Sequence, residues 1–189
     1  VWFDLIGPWC LIGKRQLDQA LVQWRAEQAT QDSVTVTVRW HSVRLIEGVP
    51  RDGWDFADFY QRRLGSTQAV QARQAQVLAA ARQAGAEIDF SRIRVFPDTG
   101  PAHQLLALGH HRLSADAHQA LIERLFQAYF QHGDNLADRA TLLSIGAELA
   151  TNDDDRLIQA IRNGGQDTIN DAGQQIVRRQ LNIAPTLTI

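Results

Sequence analysis

The sequence predicts an α/β protein that opens on a βαβ unit and then turns helical for most of its length. Three observations carry this. Residues 1–6 are apolar on both faces except for Asp4, the pattern of a parallel strand covered on both sides. Pro8 then suits the first turn of a helix, where its missing N–H costs nothing. Leu17, Leu21 and Trp24 follow at helical spacing, carrying that helix to about Thr30. Val34, Val36, Val38 and Trp40 alternate with Thr35, Thr37, Arg39 and His41, which predicts a second strand. Such a strand–helix–strand unit closes with a right-handed crossover.

Beyond it, residues 45–55 read as a loop punctuated by Gly48, Pro50 and Gly53. Residues 56–64 predict a short helix, and 68–84, rich in Ala and Gln, a half-exposed one. Residues 86–95 are irregular, anchored by Ile88, Phe90 and Ile93. Asp98 or Thr99 is placed to cap a helix reaching His111, and Ser114 with Asp116 to start the next. The stripe Leu121, Ile122, Leu125, Phe126 and Tyr129 is the strongest helical signal in the chain. Gly133-Asp134-Asn135 ends that helix, and 136–149 predicts another. Thr151 with Asp153–Asp155 caps a helix to Asn163, Gly164-Gly165 turns, and 166–181 is the last helix. Residues 182–189 alternate like a strand with Pro185 near its start.

The totals exclude several classes. The 189 residues suffice for a real core, and 44% hydrophobic with 21% charged residues is a globular balance. A net charge of −2 without a basic run excludes nucleic acid, whose phosphates need clustered cations. No apolar run nears the roughly 18 residues of a membrane span, and no signal peptide is visible. Cys10 is the only cysteine, so there is no internal disulfide and no Cys-rich zinc site. A lone thiol fits a reducing compartment, and a cytoplasmic location is expected. The chain has no methionine and opens inside a strand, so its start is expected to be trimmed. Lys14 is the only lysine among 19 basic residues.

The segment Phe3-Asp-Leu-Ile-Gly-Pro-Trp-Cys-Leu-Ile-Gly-Lys-Arg15 resembles the active-site segment of the DsbA-like thioredoxin-fold family. It is most similar to the FrnE-like branch, grouped with 2-hydroxychromene-2-carboxylate isomerases and kappa-class glutathione transferases. Val38-Arg39-Trp40, Pro97-Asp98-Thr99 with Ala102-His103, and Leu125-Phe126 through Tyr129-Phe130, Asp138-Arg139 and Leu142-Leu143 agree in order and spacing. Ile183-Ala184-Pro185-Thr186 sits where the family carries its cis-proline. The resemblance implies a thioredoxin-like fold with a large all-helical insertion between the second strand and the last crossover helix. Residues 1–44 would form the first thioredoxin-like half and 45–165 the insertion. Residues 166–189 would begin a second half that lacks the family's final strand and helix.

Family chemistry rests on Cys-Pro-Trp-Cys, where the first cysteine attacks and the second resolves the mixed disulfide. Here the motif is Gly7-Pro8-Trp9-Cys10. The resemblance therefore makes Cys10 the resolving residue and Gly7 the place of the missing nucleophile. A helix N-terminus stabilises an anion, which is why a thiol mounted there is reactive. Cys10 lies three residues inside, in step with Leu17, Leu21 and Trp24, where burial would hold it neutral. Three readings remain open: a member that keeps its groove but has lost dithiol redox, a site that takes the thiolate of an external thiol such as glutathione at Gly7, or a replacement of a native cysteine at position 7. A non-catalytic peptide-binding module is a further alternative. No tightly bound cofactor is expected. The expected partners are a thiol-containing small molecule or an extended peptide, with a second copy of the chain as a further partner.

Other residues have two readings each. Asp4 either relays a proton to Cys10 or a bound thiol, or bonds backbone N–H groups near the helix start, the commoner role. Lys14 follows Cys10 by one turn and either lowers its pKa or, as more often, reaches solvent. Pro8 and Trp9 shape the groove. A cis Ala184–Pro185 bond would set the Ala184 backbone beside Gly7 to pair with an extended peptide or glutathione. His103, His110 and His111 share a helix face, but no i,i+4 His/Glu pair supports a metal. His103 is expected to line the groove between insertion and core. Arg51, Arg62 and Arg63 are expected to be solvated.

Overall fold

The computed structural model describes residues 1–28 and 34–149. Strand β1 (Trp2–Phe3) leads into helix α1 (Pro8–Gln28), and strand β2 (His41–Ser42) returns parallel to β1, pairing Trp2 with His41 and Phe3 with Ser42. Bonds from His41 N–H to the Val1 carbonyl (2.8 Å) and from Val43 N–H to the Phe3 carbonyl (2.9 Å) hold the pair. The expected βαβ unit is present, but its strands are short. Residues 34–40 form no strand, although their alternation predicts one. Val34 and Val36 stay exposed, so no buried face holds that stretch in a ladder.

Next come β3 (Trp54–Asp55), α2 (Phe56–Leu64), α3 (Thr67–Gln83) and β4 (Val95–Phe96), with β3 and β4 antiparallel. The 45–55 loop thus ends in a two-residue ribbon that the sequence pattern does not reveal. A tight turn at Gly53 (φ 76°) feeds it, and Trp54, Phe59 and Phe96 stack over it. Asp55 caps α2, accepting the Asp58 N–H at 2.9 Å, and Ser66 caps α3.

Helices α4 (Gly100–Arg112), α5 (Ala115–Gln127) and α6 (Arg139–Leu149) pack on one another. Asp98 rather than the Thr99 hydroxyl caps α4, taking the Gly100 N–H at 3.0 Å. Ser114 caps α5 through the Ala117 N–H. The stripe from Leu121 to Tyr129 is wholly buried, with Phe3 of β1 packed against Phe126 at 5.9 Å between ring centroids. The N-terminal unit and the helices therefore share one core. After α5 the chain widens into a π turn (Ala128–His132) that closes on Gly133. Helix α6 starts three residues later than expected, because Asn135 folds the preceding segment and Asp138 accepts the Thr141 N–H at 2.9 Å.

The buried face of α1 is not the one its apolar spacing marks. Leu17, Leu21 and Trp24 are only half-buried, whereas Leu11, Ile12 and Lys14 are buried. Lys14, expected to reach solvent, is 6% exposed. Its Nζ bonds Asp18 at 2.6 Å, lies 3.3 Å from Glu123 of α5, and sits 5.9 Å from the Trp40 ring centroid. Glu123 also takes both arms of Arg15. Helices α1 and α5 are thus joined by partly buried ion pairs. Glu123→Ala leaves two cations short of their anion and is expected to cost about 2 kcal/mol in chemical denaturation. Lys14→Met, which fills the same space without charge, should cost under about 1 kcal/mol. Equal losses from the two variants would show that packing, not charge pairing, holds this junction.

Candidate functional site at the tip of the first helix

The turn from β1 into α1 is built by the backbone. Gly7 N–H bonds the Asp4 carbonyl at 3.2 Å, and the Gly7 carbonyl accepts Cys10 N–H at 2.9 Å and Leu11 N–H at 3.3 Å. Gly7 is therefore the last residue before the helix, and Pro8 its first. Gly7 has no left-handed φ, so the turn itself does not require glycine. What surrounds it is more telling. A Cβ placed on Gly7 would lie 2.9 Å from Cys10 Sγ, 3.4 Å from the Asp4 carbonyl oxygen and 3.4 Å from Leu45 Cδ1.

Cys10 is partly buried, and its thiol is pushed up from 9.0 to about 11. Burial is the main cause; a backbone hydrogen bond at Asp4 opposes it, and the Asp4 charge adds to it. Lys14 does not lower it, since its ammonium is engaged by Asp18 and Glu123. The thiol is thus held neutral, and its alkylation by iodoacetamide is expected to stay slow at pH 8 and to rise only towards pH 11. Because the folded state holds this proton more tightly than the unfolded chain, the linked stability is complete below about pH 9. It is lost as pH climbs to about 11. A flat urea midpoint across that window would contradict the assignment.

Asp4 is fully buried, but its carboxylate does not bond N–H groups at the helix start. One oxygen accepts Leu45 N–H at 2.8 Å, and the other meets His103 Nε2 at 3.1 Å. His103, 5% exposed on α4, does lie between the helices and the N-terminal unit, in contact with Phe3. His110 and His111 stand exposed at the end of the same helix, away from its buried face. Among the described residues no three or more His, Cys, Asp or Glu side chains are grouped to hold a metal ion. Trp9 is half-buried, and the Arg73 guanidinium of α3 lies 5.7 Å from its ring centroid. Asp4, Gly7, Pro8, Trp9, Cys10 and His103 are therefore gathered around one helix tip, while Ala184 and Pro185 lie outside the described residues. Leu45, Arg73, Tyr60 and Tyr129 also border this region; the local sequence marks Tyr129 as part of a buried stripe and the other three not at all.

A family model for the DSBA-like thioredoxin domain matches residues 1–189. The chain belongs to the DsbA-like thioredoxin family. A solved structure, a probable DsbA oxidoreductase from Streptomyces coelicolor, superposes with a TM-score of 0.76 at 22% identity. The match covers 94% of this chain and 73% of that one, and it shows the shared fold. No curated protein matches the chain. The DsbA-like assignment makes the β1–α1–β2 unit the start of a thioredoxin-like fold carrying helices, as the sequence resemblance implies. Within this DsbA-like protein the motif region holds one sulfur atom, behind a glycine. Among its described residues no helix is long and apolar enough to cross a membrane.

Proposed function

We propose that the protein is a DsbA-family thiol–disulfide oxidoreductase homologue of the FrnE-like branch that binds at the tip of α1 without carrying out dithiol exchange. One observation carries this: the only thiol is Cys10, held neutral behind Gly7. Disulfide exchange needs an exposed thiolate and a second thiol to resolve the mixed disulfide. The chain supplies neither by itself. The branch is supported by Gly7-Pro8-Trp9-Cys10, Lys14-Arg15 and Pro97-Asp98-Thr99 with His103 in family order. What binds is an extended peptide or a thiol-containing small molecule, in a reducing compartment such as the cytosol. Insulin reduction by the purified chain should not exceed that of the dithiothreitol buffer. Turnover matching a Cys-Pro-Trp-Cys protein would overturn the reading.

A second reading, a glutathione-dependent isomerase or transferase, is favoured by the charge at the tip. The positive end of the α1 dipole and the Arg73 cation beside Trp9 suit an anionic thiol. Saturable glutathione binding by calorimetry, abolished in Gly7→Val, would support it. Peptide binding with no response to glutathione would leave the peptide module.

A further inference from the structure

Asp4 and His103 are buried ionisable groups that the proposed function leaves without a role. They come from opposite parts of the fold, β1's exit and α4, 99 positions apart, and meet at 3.1 Å. His103 Nδ1 is buried and has no hydrogen-bond partner among the described residues. A bare, buried ring nitrogen favours the tautomer with its hydrogen on Nε2, since a second N–H there would be buried unpaired. His103 is then a donor to Asp4, and Asp4 is an acceptor from both His103 and Leu45. Two donors thus hold the two carboxylate oxygens in place. Cys10 from α1, Tyr60 from α2 and Tyr129 from the π turn all feel the same Asp4 charge, and Tyr60 also feels Arg63 and Arg73. The Tyr129 hydroxyl is itself buried without a hydrogen-bond partner among the described residues.

We propose that His103 is a positioning residue that fixes the negative charge of Asp4 behind the helix tip, so that a residue of the helical region sets the reactivity of sulfur at the thioredoxin-like motif. The geometry explains why the charge is retained in a buried place. An unpaired carboxylate there would be expelled or protonated, whereas one held by a ring N–H and a backbone N–H is stable. A fixed anion beside Cys10 also opposes formation of its thiolate. The inference goes beyond the proposed function and does not depend on it, because Cys10 reports on the pair with no ligand added.

The test is the iodoacetamide alkylation rate of Cys10 in the full chain from pH 7 to 11, followed by mass spectrometry. Asp4→Asn removes the charge and keeps the shape. It should move the profile to lower pH, making alkylation at pH 9 about threefold faster or more. His103→Phe removes the donor that fixes the charge and should move the profile in the same direction as Asp4→Asn. His103→Gln, whose amide can replace Nε2–H, should behave as wild type. The double variant Asp4→Asn/His103→Phe should be no faster than Asp4→Asn alone, because both changes act through one charge. His103→Asn, too short to reach Asp4, carries the expectation for His103→Phe if phenylalanine prevents folding. An unshifted profile in Asp4→Asn, a His103→Gln profile like that of His103→Phe, or rates that multiply in the double variant would each overturn the proposal; the last two would leave His103 a packing residue only.

Discussion

Gly7→Cys is expected to form an internal disulfide with Cys10 and to switch on insulin reduction, from buffer level to at least about tenfold above it. The reason is geometric. A Cβ on residue 7 lies 2.9 Å from Cys10 Sγ. In a disulfide with an S–S bond of about 2 Å, a Cβ sits about 3 Å from the opposite sulfur. The backbone of the turn is thus already set for the bond, and the close contact becomes a covalent one. The new thiol would occupy the last residue before α1, where the helix dipole favours a thiolate. Cys10, neutral and partly buried, would supply the resolving thiol. A mass two units lower than the dithiol form, with no titratable thiols before reduction, is the first check. An oxidised Gly7→Cys protein that keeps both thiols free would show that the tip does not have this geometry. A disulfide without turnover would locate the loss elsewhere in the groove.

Gly133→Ala is expected to cost about 3 kcal/mol or more and to lower the melting temperature by roughly 10 °C. Gly133 ends the π turn at φ 76°, where an L side chain is strained by about 1 kcal/mol. Space is the larger problem. A Cβ there would fall 2.3 Å from the Arg92 carbonyl oxygen and 2.6 Å from its carbonyl carbon. These are backbone atoms, and the segment cannot yield easily, since Asp89 N–H is tied to the Phe130 carbonyl at 2.7 Å. The collision would be transmitted to Tyr129 and Phe130 in the core. Gly65→Ala is the control. Gly65 has φ 87° at the end of α2, but its Cβ would meet nothing within 4 Å, so only the conformational cost of about 1 kcal/mol remains. Equal losses at the two positions would mean that the approach to Arg92 is not a constraint.

Much of the helical architecture is legible in the chain. Ser114 caps its helix because its oxygen satisfies an N–H three residues on, a purely local bond, which Asp55 and Ser66 also make at helix starts that the sequence pattern leaves unmarked. The stripe from Leu121 to Tyr129 reads correctly because five apolar residues at helical spacing leave little choice of inward face. The motif Gly7-Pro8-Trp9-Cys10 is legible as a helix start for the same local reason. The errors fall where burial depends on a distant partner. The alternation of residues 34–41 looks like a strand, yet only His41 enters one, because pairing is decided by which backbone lies alongside. Ribbon β3–β4 is invisible locally, since its two halves are separated by helices α2 and α3.

The amino-acid sequence by itself determined the family, the order of the described helices, the Ser114 cap, the single thiol and the glycine that stands before it. Those depend on residue identity and on contacts within one turn of chain. Only the tertiary structure decided that Lys14 is buried between two carboxylates, that Asp4 is held by His103 and Leu45, and that a side chain at position 7 would touch Cys10 Sγ. A charge or a thiol takes its character from its solvation and its neighbours, and here those neighbours come from parts of the chain far apart in sequence.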